Sequence, residues 1–229
     1  MPRLLLFDID GTLLDTGGAG GASLLDAVEE LFGVERTTLP PLNLAGATDG
    51  GIVRQLFSQM KREMHEQAVD EYLRCYLGHL QRRLHHVDFP GLTLPGVEAL
   101  LQALVADASA DLGLLTGNVR RGAEMKLQRF DLHPHFIEGA FGDDAEDRNL
   151  LGPVAIRRMS EATGRSYSVD DVIIIGDTPK DIACAEAIGA RCLAVGTGHF
   201  KAASLRAHTP WLCLEDLADT AAVCEALLT

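Results

Sequence analysis

Asp8 and Asp10 stand two residues apart in Phe7-Asp8-Ile9-Asp10-Gly11-Thr12-Leu13-Leu14, directly after the run Arg3-Leu4-Leu5-Leu6. An apolar run of that kind belongs to a strand buried on both faces. Two carboxylates where such a strand ends are ready to hold a divalent cation on a rigid edge. Gly11 lets the chain turn at once, and Thr12 adds a hydroxyl beside the turn. Open parallel sheets carry their chemistry at the carboxyl ends of their strands. A lone Asp-x-Asp is commonly a turn or cap; Asp-x-Asp-Gly-Thr-Leu behind a buried strand is far more specific.

Three further segments have chemical potential. Leu115-Thr116-Gly117-Asn118 sets a hydroxyl and two backbone N–H groups at a helix start, a ready anion site. The same residues serve equally as a helix cap, and the two uses share one geometry. Gly142-Asp143-Asp144-Ala145-Glu146-Asp147-Arg148 is an acidic loop ending on a base. Ile175-Gly176-Asp177-Thr178-Pro179-Lys180-Asp181 supplies two more carboxylates. In that last segment Thr178 and Asp181 also form a capping-box pattern, with Thr178 as N-cap.

The elements that must position these residues are legible in outline. Leu112–Leu115, Val172–Ile175 and Ala190–Val195 are expected to be buried strands, with weaker signals at Phe136–Phe141 and Trp211–Leu214. Helical patterns lie between them: Val97–Ala108, Val119–Phe130 after an Asn-type cap at Asn118, Val154–Ala162, and Asp181–Ile188 stopping at Gly189. Alternating strands and helices predict an α/β fold, a doubly wound parallel sheet. The stretch from 17 to 90 breaks the rhythm. Ser23–Phe32, Ile52–Met64 and Glu66–His86 carry helical patterns and no convincing strand. The expectation is a core of residues 1–16 and 91–229 with an inserted helical cap at 17–90. Gly17–Gly21 and Phe89–Gly91 are either its hinges or plain loops.

Composition narrows the function. The chain has 229 residues, 47% hydrophobic and 23% charged, ordinary for a globular protein, and a formal net charge of −13. That charge argues against a nucleic-acid partner, which needs a basic face. No apolar run approaches the ~20 residues needed to span a bilayer, and no signal-peptide pattern opens the chain. A cytoplasmic protein is expected. Five cysteines without a Cys-x-x-Cys suggest reduced thiols rather than zinc or a disulfide framework.

Taken in order, the four segments resemble the haloacid dehalogenase superfamily, specifically its phosphatases with a helical cap, such as the phosphoglycolate phosphatase-like members. The resemblance spans nearly the whole chain. It implies a Rossmann-like core, Asp8 as nucleophile forming an aspartyl-phosphate, and Asp10 as general acid and base. It implies Mg²⁺ held by Asp8, Asp177 and the main-chain carbonyl of Asp10. Thr116, Gly117 and Asn118 would bind the phosphoryl group. Asp181 would support the metal site from behind, beside its capping role.

The family usually places a lysine where this chain has Arg148, and no lysine lies between Lys126 and Lys180. Arg148 neutralises charge and binds two oxygens but cannot shed its proton. Lys126 is the competitor, eight residues after Asn118. Along a helix that is roughly 12 Å from the phosphate end, too far unless the helix breaks. The alternative is an Arg148 at a helix start that simply pairs with the acids of Asp143–Asp147. In the cap, Thr48, Asp49 and the following Arg54 are candidates for reading the leaving group, Arg54 through a substrate carboxylate or second phosphate; an ordinary capping loop with a surface arginine fits as well.

The expected activity is hydrolysis of a phosphomonoester of a small metabolite, phosphoglycolate-like or a sugar phosphate, by a monomer or homodimer. A phosphomutase of the β-phosphoglucomutase type would use the same aspartates. A non-catalytic binding protein on this scaffold is the third reading, prompted by the missing lysine.

Overall fold

The computed structural model describes residues 2–229. Six strands form one parallel sheet in the order β5-β4-β1-β6-β7-β8. They are β1 (Arg3–Phe7), β4 (Ala110–Leu115), β5 (Gly139–Ala140), β6 (Val172–Gly176), β7 (Arg191–Val195) and β8 (Leu212–Leu214). Two more short strands, β2 (Leu14–Asp15) and β3 (Leu92–Thr93), pair antiparallel beside it. The helices are α1 (Ala19–Phe32), α2 (Asp49–Gln59), α3 (Glu66–Arg83), α4 (Val97–Ala106), α5 (Arg120–Arg129), α6 (Leu151–Thr163), α7 (Pro179–Ile188), α8 (Ala202–Leu205) and α9 (Thr220–Leu228).

β1 is central because it is apolar on both faces. Leu5 lies between Leu112 of β4 and Ile173 of β6. Leu5, Phe7, Leu112 and Ile173 pack under α4, α5 and α9, through Leu101, Leu127 and Val223. Leu4, Leu6 and Ile174 pack on the other face under α6 and α7, through Met159 and Ile182. Alternate residues of one strand therefore anchor two helical layers. A third apolar cluster joins α1, α2 and α3 around Phe57, Tyr72 and Tyr76. It reaches the core through Val119 at the entry to α5.

The expected strand at 136–141 shrinks to Gly139 and Ala140, because His133–His135 form a 3-10 turn and only two residues reach β4. Among the described residues no helix is long and apolar enough to cross a membrane.

Candidate active site

β1 delivers Asp8 to the sheet edge, where its amide donates to the Ile175 carbonyl of β6 at 2.9 Å. The chain then folds tightly. Gly11 takes φ +82°, and its amide donates to the Leu14 carbonyl at 2.9 Å. β6 delivers Asp177 from the neighbouring strand. A Cβ at Gly198, in the loop after β7, would lie 1.8 Å from Asp177 Oδ2. Only a glycine lets that loop close over the carboxylate.

Asp8, Asp177 and Asp181 are all buried, and one ligand oxygen from each lies within 4.8 Å of the others. Arg148, also buried, reaches Asp8 Oδ1 at 3.2 Å and Asp181 Oδ1 at 2.5 Å through Nη2. The same nitrogen donates to the Leu115 carbonyl at 3.2 Å. Thus Arg148 faces the nucleophile candidate and not the acids of its own loop. Its Nε is buried without a partner. Asp181 also completes the capping box, accepting from the Thr178 amide at 3.0 Å and its hydroxyl at 2.7 Å. One Asp181 side chain thus serves the helix cap and holds Arg148.

Burial pushes the Asp8 carboxyl up to about 6, with Arg148 opposing and Asp181 and Asp10 adding to the rise. Burial pushes Asp177 up to about 9, reinforced by Asp181 and Asp8. Arg148 is raised despite its burial, because Asp181 and Asp8 hold its proton. One guanidinium among three carboxylates leaves negative charge uncompensated. Hard oxygen donors at this separation fit Mg²⁺ well.

Asp10 sits at the cavity wall, more exposed than Asp8. Lys126 Nζ reaches its two oxygens at 2.6 and 2.8 Å and the Asn118 Oδ1 at 2.6 Å. Asn118 Nδ2 donates to Asp10 Oδ2 and to Thr116 Oγ1, both at 2.8 Å. The expected 12 Å separation of Lys126 from the site is therefore corrected. The helix begins at Arg120, later than Asn118, and helical side chains lean toward the N-terminus. A long lysine recovers the remaining distance. Sequence reasoning missed this contact although the signal was present. Lys126 falls with Ala123 and Leu127 on the buried stripe of α5, and a buried lysine needs an acid.

Asn118 is not the N-cap of that helix. Val119 holds the position, and its amide is capped by Asp49 Oδ2 at 2.8 Å. Asp49 opens α2 and donates its own amide to the Gly117 carbonyl at 2.7 Å. A Cβ at Gly117 would lie 2.0 Å from the Ala47 carbonyl oxygen, so this approach requires glycine. Burial pushes the Asp49 carboxyl up to about 6, against the pull of Lys126.

A cavity of about 720 Å³ opens between the strand ends and the first three helices, lined by Asp8, Asp10, Asp49, Thr116, Lys126 and Asp177, among others. Two expected members stay outside it. Thr48 donates to the Glu146 carbonyl at 2.6 Å and caps α2. Arg54 forms an exposed ion pair with the Glu146 carboxylate, so it is not available to a substrate anion in the cavity. The acids after β5 attract it because it lies one turn into α2 on the side facing that loop.

A family profile of haloacid dehalogenase-like hydrolases matches residues 5–195. The chain belongs to this family. A phosphoglycolate phosphatase of Chromobacterium violaceum is 26% identical over 95% of both chains. One of Rhodospirillum rubrum is 26% identical over 87% of this chain and 81% of its own. Among solved structures, a hydrolase from Pseudomonas syringae superposes with TM-score 0.74 at 18% identity, covering 99% of this chain and 100% of that one. CbbY from Rhodobacter sphaeroides, solved in complex with phosphate, gives 0.71 at 17%, covering 96% of each. Family and relatives together make the chain an enzyme of the phosphoric monoester hydrolase class.

Proposed function

We propose that this enzyme is a Mg²⁺-dependent phosphatase of a small phosphorylated metabolite, phosphoglycolate-like or a sugar phosphate, working through phospho-Asp8. The observation that carries the reading is the buried group Asp8, Asp177 and Asp181 around one guanidinium, on the floor of a cavity with Asp10 at its wall. Asp8, Asp177 and the Asp10 carbonyl would hold Mg²⁺. When bound, the ion offsets carboxylate–phosphate repulsion and the charge of the transferring group.

The remaining work falls to the chain. An Asp8 carboxylate oxygen attacks phosphorus while the bond to the leaving oxygen breaks. Asp10 gives that oxygen its proton, then takes one from the water that attacks phospho-Asp8. Inorganic phosphate leaves and Asp8 is restored. Thr116, Gly117 and Asn118 face the phosphoryl oxygens. Arg148 orients Asp8, and Asp181 orients Arg148 from behind. Residues 17–90 act as the cap over a core of 1–16 and 91–229, with no nucleic-acid or membrane partner, in the cytoplasm as monomer or homodimer.

The test is turnover of p-nitrophenyl phosphate with Mg²⁺, beside an EDTA control and Asp8→Asn. Turnover that needs both the metal and Asp8 supports the reading. Activity surviving in Asp8→Asn excludes Asp8 as nucleophile.

A further inference from the structure

The cavity also carries apolar walls, from Leu24, Leu42, Leu44, Ile52, Tyr76 and Phe200. Gly20 and Gly21, at the start of α1, line it as well; a Cβ at Gly20 would lie 3.3 Å from Lys126 Nζ and one at Gly21 3.0 Å from Leu44. Among the described residues, two permanently cationic side chains line the cavity, and both are engaged. Lys126 holds both oxygens of Asp10 and the Asn118 oxygen; Arg148 holds Asp8 and Asp181. His199 lines it only from an exposed position, against Phe200. Three arginines of residues 17–90 are turned to other acids: Arg54 to Glu146, Arg36 to Asp26 and Glu29, Arg83 to Asp26.

Carboxylates, by contrast, do face the space. Asp10 is offset by Lys126, but Asp15 and Asp49 also line it, neither with a cation at ion-pair distance among the described residues. An anionic leaving group would meet like charges and apolar walls, with no free cation to offset its desolvation. The volume, about 720 Å³, is also several times what a two-carbon acid fills.

We propose that the leaving group this enzyme accepts is a neutral alcohol with an apolar face, carrying neither a carboxylate nor a second phosphate. This narrows the phosphatase reading above and rests on it. It separates this chain from its 26%-identical relatives, whose names give phosphoglycolate as substrate. The neutral alcohol leaves from phosphorus as Asp8 bonds to it, taking its proton from Asp10, so the reaction needs no further reactant than water.

The test uses a matched pair, 2-hydroxyethyl phosphate and 2-phosphoglycolate, which differ at the far end by a hydroxyl against a carboxylate. Phenyl phosphate serves as the ester of a bulkier leaving group without a second charge. The full chain is assayed at pH 8 with Mg²⁺. The expected kcat/KM favours 2-hydroxyethyl phosphate by about tenfold or more, the equivalent of ~1.4 kcal/mol of repulsion. Phenyl phosphate should be at least as good. In Asp49→Asn, which keeps an acceptor for the Val119 amide, the gap should narrow. Parity, or preference for 2-phosphoglycolate in the native enzyme, overturns the inference while leaving the phosphatase reading standing. Failure to hydrolyse any of the three esters above an Asp8→Asn control removes both.

Discussion

Two cations divide the acids of this site between them. Arg148 lies against Asp8 and Asp181, and Lys126 against Asp10. Removing Arg148 leaves three buried carboxylates with no counter-charge. Breaking a buried pair in this way typically costs about 3–5 kcal/mol. Arg148→Ala should therefore lower both stability and turnover, and Arg148→Lys should recover part of the stability because a point charge remains. Denaturant unfolding beside steady-state kinetics measures both. Lys126→Met removes the ammonium that holds Asp10 but leaves Asp8 and Arg148 in place. Turnover should fall by about 10²–10³, within the range typical of disturbed acid–base catalysis, yet by less than in Arg148→Ala. A larger loss from Lys126→Met would move the main electrostatic role to Lys126.

At the scale of elements, the contact between α2 and α5 is the informative one. Asp49 opens α2, accepts from the amide of Val119 just before α5, and donates its own amide to the Gly117 carbonyl. This joins the first three helices to the Thr116–Asn118 loop, the proposed phosphate loop. The native Asp49 carboxyl, lifted by burial, takes its proton below pH about 6 against an ordinary value of 3.8. Between those values the folded chain holds more protons than the unfolded one, so this group's contribution falls as pH rises through the window. The deficit persists at neutral pH. Asp49→Asn should raise stability at pH 8 by on the order of 1–3 kcal/mol and converge with the native chain near pH 4. Thermal unfolding at the two pH values checks the sign; greater stabilisation at pH 4 would contradict it. The β2–β3 ladder makes a second junction, Leu14 opposite Thr93 and Asp15 opposite Leu92. It holds together the two strands of chain that enter and leave the helical layer.

Across the whole molecule, a net charge of −13 surrounds a site that is itself acidic. The site must therefore gain from a divalent cation. Protons compete for the same oxygens, since Asp8 and Asp177 are lifted to about 6 and about 9. A metal ligand binds in its deprotonated form, so cation affinity should rise with pH. Without metal, the raised carboxyls contribute less stability as pH climbs from about 4 toward 9. Adding Mg²⁺ should raise Tm at pH 8 by several degrees and by less at pH 6. An equal shift at both values would remove these carboxylates as the binding group.

The sequence alone determined the alternation of buried strands and helices, because runs such as Leu4–Leu6 and Val172–Ile175 are apolar on both faces and end in acids or a glycine. It also placed Asp8, Asp10, Thr116 and Asp177 just after strands, since parallel strands all deliver their carboxyl ends to one edge, with Arg148 farther along the loop after β5. Only the tertiary structure decided which cation meets which acid. Lys126 reaches Asp10 through the lean of a helical side chain and a late helix start, and Arg54 turns away because Glu146 arrives from a loop 92 residues along the chain. Spacing along a chain fixes the local direction of a side chain. Which distant charge stands opposite it depends on how the layers pack.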